Sequence, residues 1–212
     1  SCGSCVVNGT FAEDAATGVQ TVTCDAPPLS GVDVGGALAA SVLLEVSLNS
    51  QEYTQSNASL LSYSYYVPPV LTGVSPALGP HLGSTRLRVY GSALDGMGSH
   101  YVCRFNESET PAALDDAGTG DVLCQAAPSG VLGNARLRVS LNGQQFEASD
   151  VQYGYYEHVE LLGVSPSAGP SDGATKVVID GRRFASGDSM TPDYRCAFGD
   201  DLDAAIILPA QL

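Results

Sequence analysis

Several short stretches of this chain alternate apolar and polar residues with a period of two, the pattern of half-buried β-strands. In Thr85-Arg86-Leu87-Arg88-Val89-Tyr90, Leu87 and Val89 fall on an inward face while Arg86 and Arg88 face water. Ala135-Arg136-Leu137-Arg138-Val139-Ser140-Leu141 repeats the alternation over a longer run. Val42-Leu43-Leu44-Glu45-Val46-Ser47-Leu48 keeps the same inward set but carries Leu43 where Arg136 stands outward. Asn142-Gly143 follows the second run and predicts a two-residue hairpin turn, because both turn positions need a positive φ. It would join 135–141 to a strand near 145–156. No stretch has a convincing helical period. Helix-breaking residues are dense, with 24 Gly and 12 Pro among 212 residues, and they favour short strands and turns.

The chain also repeats itself. Gly73-Val74-Ser75-Pro76-Ala77-Leu78-Gly79-Pro80 returns as Gly163-Val164-Ser165-Pro166-Ser167-Ala168-Gly169-Pro170. Val46-Ser47-Leu48-Asn49-Ser50-Gln51-Glu52-Tyr53 returns as Val139-Ser140-Leu141-Asn142-Gly143-Gln144-Gln145-Phe146, and Tyr63-Ser64-Tyr65-Tyr66 as Tyr153-Gly154-Tyr155-Tyr156. Cys24-Asp25-Ala26-Pro27 matches Cys124-Gln125-Ala126-Ala127-Pro128 with one residue inserted, and Cys5, Cys103 and Cys196 align. Five matches in one order are not chance. They divide the chain into the back of a first repeat (1–67), a whole repeat (68–157) and the front of a third (158–212). The absence of an initiator Met and of tail character agrees with a cut from a longer protein. Six or seven short strands in about 90 residues predict an all-β fold of tandem antiparallel sandwiches.

These residues resemble the IPT/TIG family of immunoglobulin-like domains, found in plexins, in Rel-type transcription factors and in long arrays on large surface proteins. The resemblance rests on Pro76 to Pro80 and Pro166 to Pro170 as the opening segment. The stretch from Gly173 to Phe184 follows the family's leading strand and its Gly-x-x-Phe, where the middle repeat has Leu94 in place of Phe184. Cys-x-Phe, a second Cys before Pro, the Asn-Gly hairpin and a Tyr-rich closing strand complete it. It covers essentially the whole chain and implies an immunoglobulin-like sandwich, a superfold that serves many functions.

By the repeat alignment Cys103 pairs with Cys124, and Cys5 with Cys24. Each would close a loop of roughly 20 residues and contribute about 3 kcal/mol. Buried free thiols and a zinc site are the alternatives. Matched recurrence disfavours the first, and the lack of a second ligand pair after Cys2-Gly3-Ser4-Cys5 disfavours the second. Cys2 and Cys196 lack partners in the alignment. Asn8-Gly9-Thr10, Asn57-Ala58-Ser59 and Asn106-Glu107-Ser108 are N-glycan acceptor sequons, and Asn8 and Asn106 stand three residues after aligned cysteines. An oxidising, extracellular or cell-surface setting follows.

Charge and chemistry narrow the function. Twenty-three acidic residues against nine basic ones give a net charge of −14, which repels phosphate and excludes nucleic acid as a partner. No apolar run reaches the length of a membrane span, so direct membrane insertion is not expected. His81, His100 and His158 are isolated, and no nucleophile, P-loop or metalloprotease motif occurs. Asp188, Asp193, Asp200, Asp201 and Asp203, and more weakly Asp115, Asp116 and Asp121, could gather Ca²⁺ oxygens, but a solvated acidic surface explains both groups better. Tyr63, Tyr65, Tyr66, Tyr153, Tyr155 and Tyr156 could make a sugar platform, but their register with the closing strand favours packing. No cofactor, metal or catalytic residue is expected.

The resulting expectation is a non-enzymatic extracellular structural or adhesion array acting as a stiff spacer or interaction rod. Its partners would be other protein chains or further repeats of the same chain. The alternative is a set of carbohydrate-binding accessory domains of a larger extracellular enzyme. The rod follows from Val67–Thr72 and Glu157–Leu162, two links of equal length that lack Gly and Ser.

Overall fold

The computed structural model describes residues 6–28, 39–54, 61–96, 98–184, 194–199 and 206–209. Every regular element among them is a β-strand. The chain forms two compact units, Ser1–Val67 and Pro68–Leu212.

In the first unit, β1 (Thr10–Glu13) pairs antiparallel with β2 (Gln20–Thr23), and β3 (Ala39–Leu43) with β4 (Ser62–Tyr66). Asp14 Oδ1 accepts from the Ala16 and Thr17 amides and shapes the turn between β1 and β2. Val42, Leu44 and Val46, the apolar set expected to face inward, are exposed. The reason is that β3 has only β4 beside it, and no opposing layer covers that face among the described residues.

The second unit contains the middle repeat, whose strands run β5 (Val70–Ser75), β6 (Leu78–Pro80), β7 (Arg86–Ser92), β8 (Val102–Phe105), β9 (Ser108–Leu114), β10 (Val122–Gln125), β11 (Gly133–Ser140) and β12 (Gln152–Tyr156). They hydrogen-bond in the order β5-β7-β10-β9-β8-β11-β12-β6. β9 joins the two halves, pairing its Ser108–Pro111 part with β8 and its Ala112–Leu114 part with β10. The opening strand is divided between the halves. β5 runs antiparallel to β7, the chain passes the cis Ser75–Pro76 peptide, and β6 then runs parallel to β12. This is the layout of an immunoglobulin-like sandwich, and the fold is all-β.

Alternation places the core. Leu87, Val89, Phe105, Val122, Leu137, Val139, Leu141, Tyr153 and Tyr155 are buried from both halves, with Leu94 closing one end. Ser140 departs from the alternation: it is wholly buried, and its hydroxyl donates to Asn142 Oδ1 at 3.1 Å. The expected two-residue hairpin at Asn142-Gly143 does not form. Arg136 pairs with Gln152, so a long connection separates β11 from β12. Asn142 Oδ1 instead accepts from the Gln144 and Gln145 amides, a side-chain-closed turn that takes the place of the strand ladder. Asn49 makes the same turn with the Gln51 and Glu52 amides, and Ser50 and Gly143 take the same left-handed conformation.

Beyond the middle repeat, β13 (Glu160–Ser165) pairs with β14 (Val178–Arg182), and β15 (Arg195–Phe198) with β16 (Ile206–Pro209). β13 reproduces the irregularity of β5: the register slips between Leu161 and Gly163 as it does between Leu71 and Gly73. The cis Ser165–Pro166 peptide stands where Ser75–Pro76 does. The links are shorter than the sequence suggested. Val70 and Glu160 already belong to strands, which leaves Val67–Pro69 and Glu157–Val159.

Candidate functional site

Among the described residues the expected chemistry is scattered and is not gathered in one cleft. Cys103 on β8 and Cys124 on β10 are joined by a disulfide between strands that β9 separates in the ladder. Their alternation on the inward face brings them together: Cys103 is 0% exposed and Cys124 7%. Cys24 is an exposed free thiol, and its expected partner, Cys5, lies outside the described residues. Cys196 on β15 is also a free thiol.

Asn106 occupies the two-residue turn between β8 and β9, exposed, with φ of 54°. Asn tolerates that conformation better than most residues. Asn8 is exposed on the approach to β1, and Asn57 lies outside the described residues.

The acidic residues around the β9–β10 turn are organised, which the sequence reading missed. Arg88, outward on β7, donates to Asp115 Oδ2, to Asp121 Oδ2 at 3.0 Å and to Thr119 Oγ1 at 3.3 Å. Thr119 Oγ1 donates to Asp115 Oδ2 at 3.0 Å, and Gly118 and Gly120 supply the left-handed conformations of the turn. The Arg88 guanidinium, the Ala117 amide and the Thr119 hydroxyl hold the Asp115 carboxyl below its ordinary pKa. The hydrogen bonds that Arg88 donates to Asp121 and Asp115 raise its own pKa. One guanidinium thus bridges the two carboxylates and offsets half of their charge. Asp188, Asp193, Asp200, Asp201 and Asp203 lie outside the described residues. No group of three His, Cys, Asp or Glu among the described residues is placed to hold a metal.

Tyr153 and Tyr155 are buried, so they offer no face to a sugar. With Phe105 they form an edge-to-face cluster, their own centroids 5.0 Å apart. The Tyr155 hydroxyl donates to the Ala127 carbonyl at 2.7 Å, and burial pushes its phenol far above the usual range. Tyr65 in the first unit does likewise to the Pro27 carbonyl at 2.9 Å. The signal for this bond was in the sequence, in the joint recurrence of the Tyr and of the Pro-containing segment after Cys. Tyr63 packs edge-on to Tyr65 and is more exposed.

His81 sits beside the 129 loop, its Nδ1 3.4 Å from the Ser129 carbonyl. His100 packs against Gly143, and neither histidine belongs to a ligand cluster. Glu157, in the link after β12, pairs with Arg183 Nε at 2.9 Å, and Glu160 stands 3.9 Å from Arg182 Nη1. An open groove runs between β5 and residues 148–152, lined by Val70, Leu71, Val74, Ala148 and Val151.

No family model matches the chain. It is similar to Plexin-A4 of Danio rerio, with 26% identity over 151 residues, which covers 61% of this chain and 7% of that protein. Among solved structures it resembles a full plexin A4 extracellular region (domains 1 to 10) at TM-score 0.46 and 18% identity, over 76% of this chain and 13% of that one. A second plexin A4 extracellular region gives TM-score 0.40 and 18% identity, over 70% of this chain and 14% of the other. The chain therefore spans a small fraction of the proteins it matches.

Proposed function

We propose that this chain is part of a non-enzymatic extracellular array of IPT/TIG-type sandwiches on a cell-surface protein, serving as a stiff spacer or interaction rod. The observation that carries the reading is the Cys103–Cys124 disulfide, buried in the core of a sandwich whose motifs recur before and after it. Such a bond persists in an oxidising compartment and is rare in the cytosol. The sequence likeness to Plexin-A4 supports the same setting.

Stiffness rests on the links. Three residues separate β4 from β5 and β12 from β13, and the first link is Val67-Pro68-Pro69, in which two prolines fix φ. In the second, the Glu157–Arg183 ion pair ties the link to the residue that follows β14, the strand paired with β13. Partners are other protein chains or further repeats of the same chain. A net charge of −14 keeps nucleic acid away. Small-angle scattering on the oxidised chain tests the proposal. An elongated distance distribution that persists at high salt supports a stiff spacer, and a compact or broadly flexible one overturns it.

A further inference from the structure

We propose that Asn106 is an N-glycan acceptor whose two side-chain atoms do separate work: Oδ1 holds the β8–β9 turn, and Nδ2 carries the sugar. The proposal rests on the extracellular reading above. The backbone amide of Asn106 donates to the Arg136 carbonyl at 2.9 Å, and Oδ1 accepts the Arg136 amide at 2.9 Å. That pair of bonds pins the residue to β11 and engages one end of the carboxamide. The residue itself is exposed, and no hydrogen bond from Nδ2 appears among the described residues. Two residues on, Ser108 is exposed at the first position of β9, paired with Phe105. The sequon therefore lies on the outside of a tight turn, with its hydroxyl and its amide nitrogen both accessible.

The chemistry is transfer of an oligosaccharide from a lipid diphosphate donor in the secretory pathway. A bond forms between Nδ2 and the anomeric carbon of the first N-acetylglucosamine, and the bond from that carbon to the diphosphate oxygen breaks. The lipid diphosphate leaves with the electron pair, and one Nδ2 proton passes to a base of the transferase. Oδ1 is not consumed and keeps its bond to Arg136.

The test is to express the chain behind a cleavable secretion leader in animal cells and to map peptides from secreted and cell-retained material together. The expected result is a hexosamine-containing mass on the peptide bearing Asn106, converted to aspartate at 106 by an amidase that removes N-glycans. Ser108→Ala should lose that mass with Asn106 still in place. Asn106→Asp should lose it too, yet keep an oxygen for the Arg136 amide, so that its unfolding midpoint matches that of the unglycosylated Ser108→Ala variant. Unmodified Asn106 in material that has formed the Cys103–Cys124 disulfide overturns the proposal and leaves the extracellular reading standing. A glycan on Asn106 with both cysteines reduced supports the proposal and counts against that reading.

Discussion

Two tyrosines in one core, two residues apart on β12, should respond in opposite ways to loss of the same atom. Tyr155→Phe removes a donor 2.7 Å from the buried Ala127 carbonyl, which is left without a partner where water does not reach. Leaving a buried acceptor unpaired costs about 1–3 kcal/mol. Tyr153→Phe removes a buried hydroxyl that lies against Gly79, makes no hydrogen bond of good geometry and has the Thr85 hydroxyl as its near polar neighbour. Nothing is orphaned by that change, and a desolvated polar group disappears. Both phenylalanines keep the ring packing, with centroids 5.6 Å and 6.4 Å from Phe105. Tyr153→Phe should therefore be neutral or stabilising by up to about 1 kcal/mol, so the variants should differ by about 1–4 kcal/mol. Urea unfolding of the oxidised chain, followed by far-ultraviolet circular dichroism, measures this as a lowered midpoint for Tyr155→Phe and an unchanged or raised one for Tyr153→Phe, at constant slope. Equal losses, or a larger loss for Tyr153→Phe, would refute the reasoning. They would mean that Tyr153 has a partner in solution, with Thr85 the residue to truncate next.

Other perturbations test other parts of the sandwich. Because Asp115 has a depressed pKa, its contribution is present above the unfolded carboxylate value near 4 and is lost as pH falls through the folded value. Arg88→Met should flatten acid unfolding curves over that range, and an unchanged curve would show that Arg88 is not its source. A side chain on Gly91 would lie 2.4 Å from the Val70 carbonyl oxygen and 3.0 Å from Leu94, so Gly91→Ala should cost about 1–3 kcal/mol in the same urea assay. Replacing Cys103 and Cys124 together by alanine should cost about 3 kcal/mol and make the unfolding midpoint insensitive to reductant. A reductant-sensitive midpoint in that double variant would mean that another disulfide stabilises the fold.

Period-two patterning located β7 and β11 because both have one face in the core and one in water, the condition under which alternation is informative. Repeat alignment brought Cys103 to Cys124 and put Tyr153 and Tyr155 on the same closing strand. Three features were not legible. Division of the opening strand into β5 and β6 leaves no mark on the pattern, since both parts are too short for an alternation to show. Asn142-Gly143 carries a hairpin signal, but the side-chain oxygen of Asn142 closes a turn of its own, so the same dipeptide serves a longer connection. Arg88 and Arg86 are equivalent in the pattern, and only the folded register sets Arg88 beside Asp115 and Asp121, which lie far along the chain.

The repeats preserve backbone geometry more closely than they preserve side chains. Gly83-Ser84 and Gly173-Ala174 both take left-handed conformations, as do Ala93 and Arg183. A Cβ on Gly91 or on Gly181 would meet the carbonyl of the first residue in the neighbouring strand, Val70 or Glu160, and the end of Leu94 or Phe184. Gly79 and Gly169 both leave room for a threonine, Thr85 or Thr175. These positions set strand spacing and turn direction, which every copy of a sandwich needs whatever it binds. By contrast, the repeats differ at Asn106 and Gly199, at Arg88 and Val178, and at Leu94 and Phe184. The first two pairs lie in a turn and on the outward face of a strand, so charge and the presence of an N-glycan sequon change from copy to copy while the frame is held. An array built this way can display different surfaces on equivalent sandwiches. Selectivity for a partner would then come from which repeat presents the residue, at little cost to the fold.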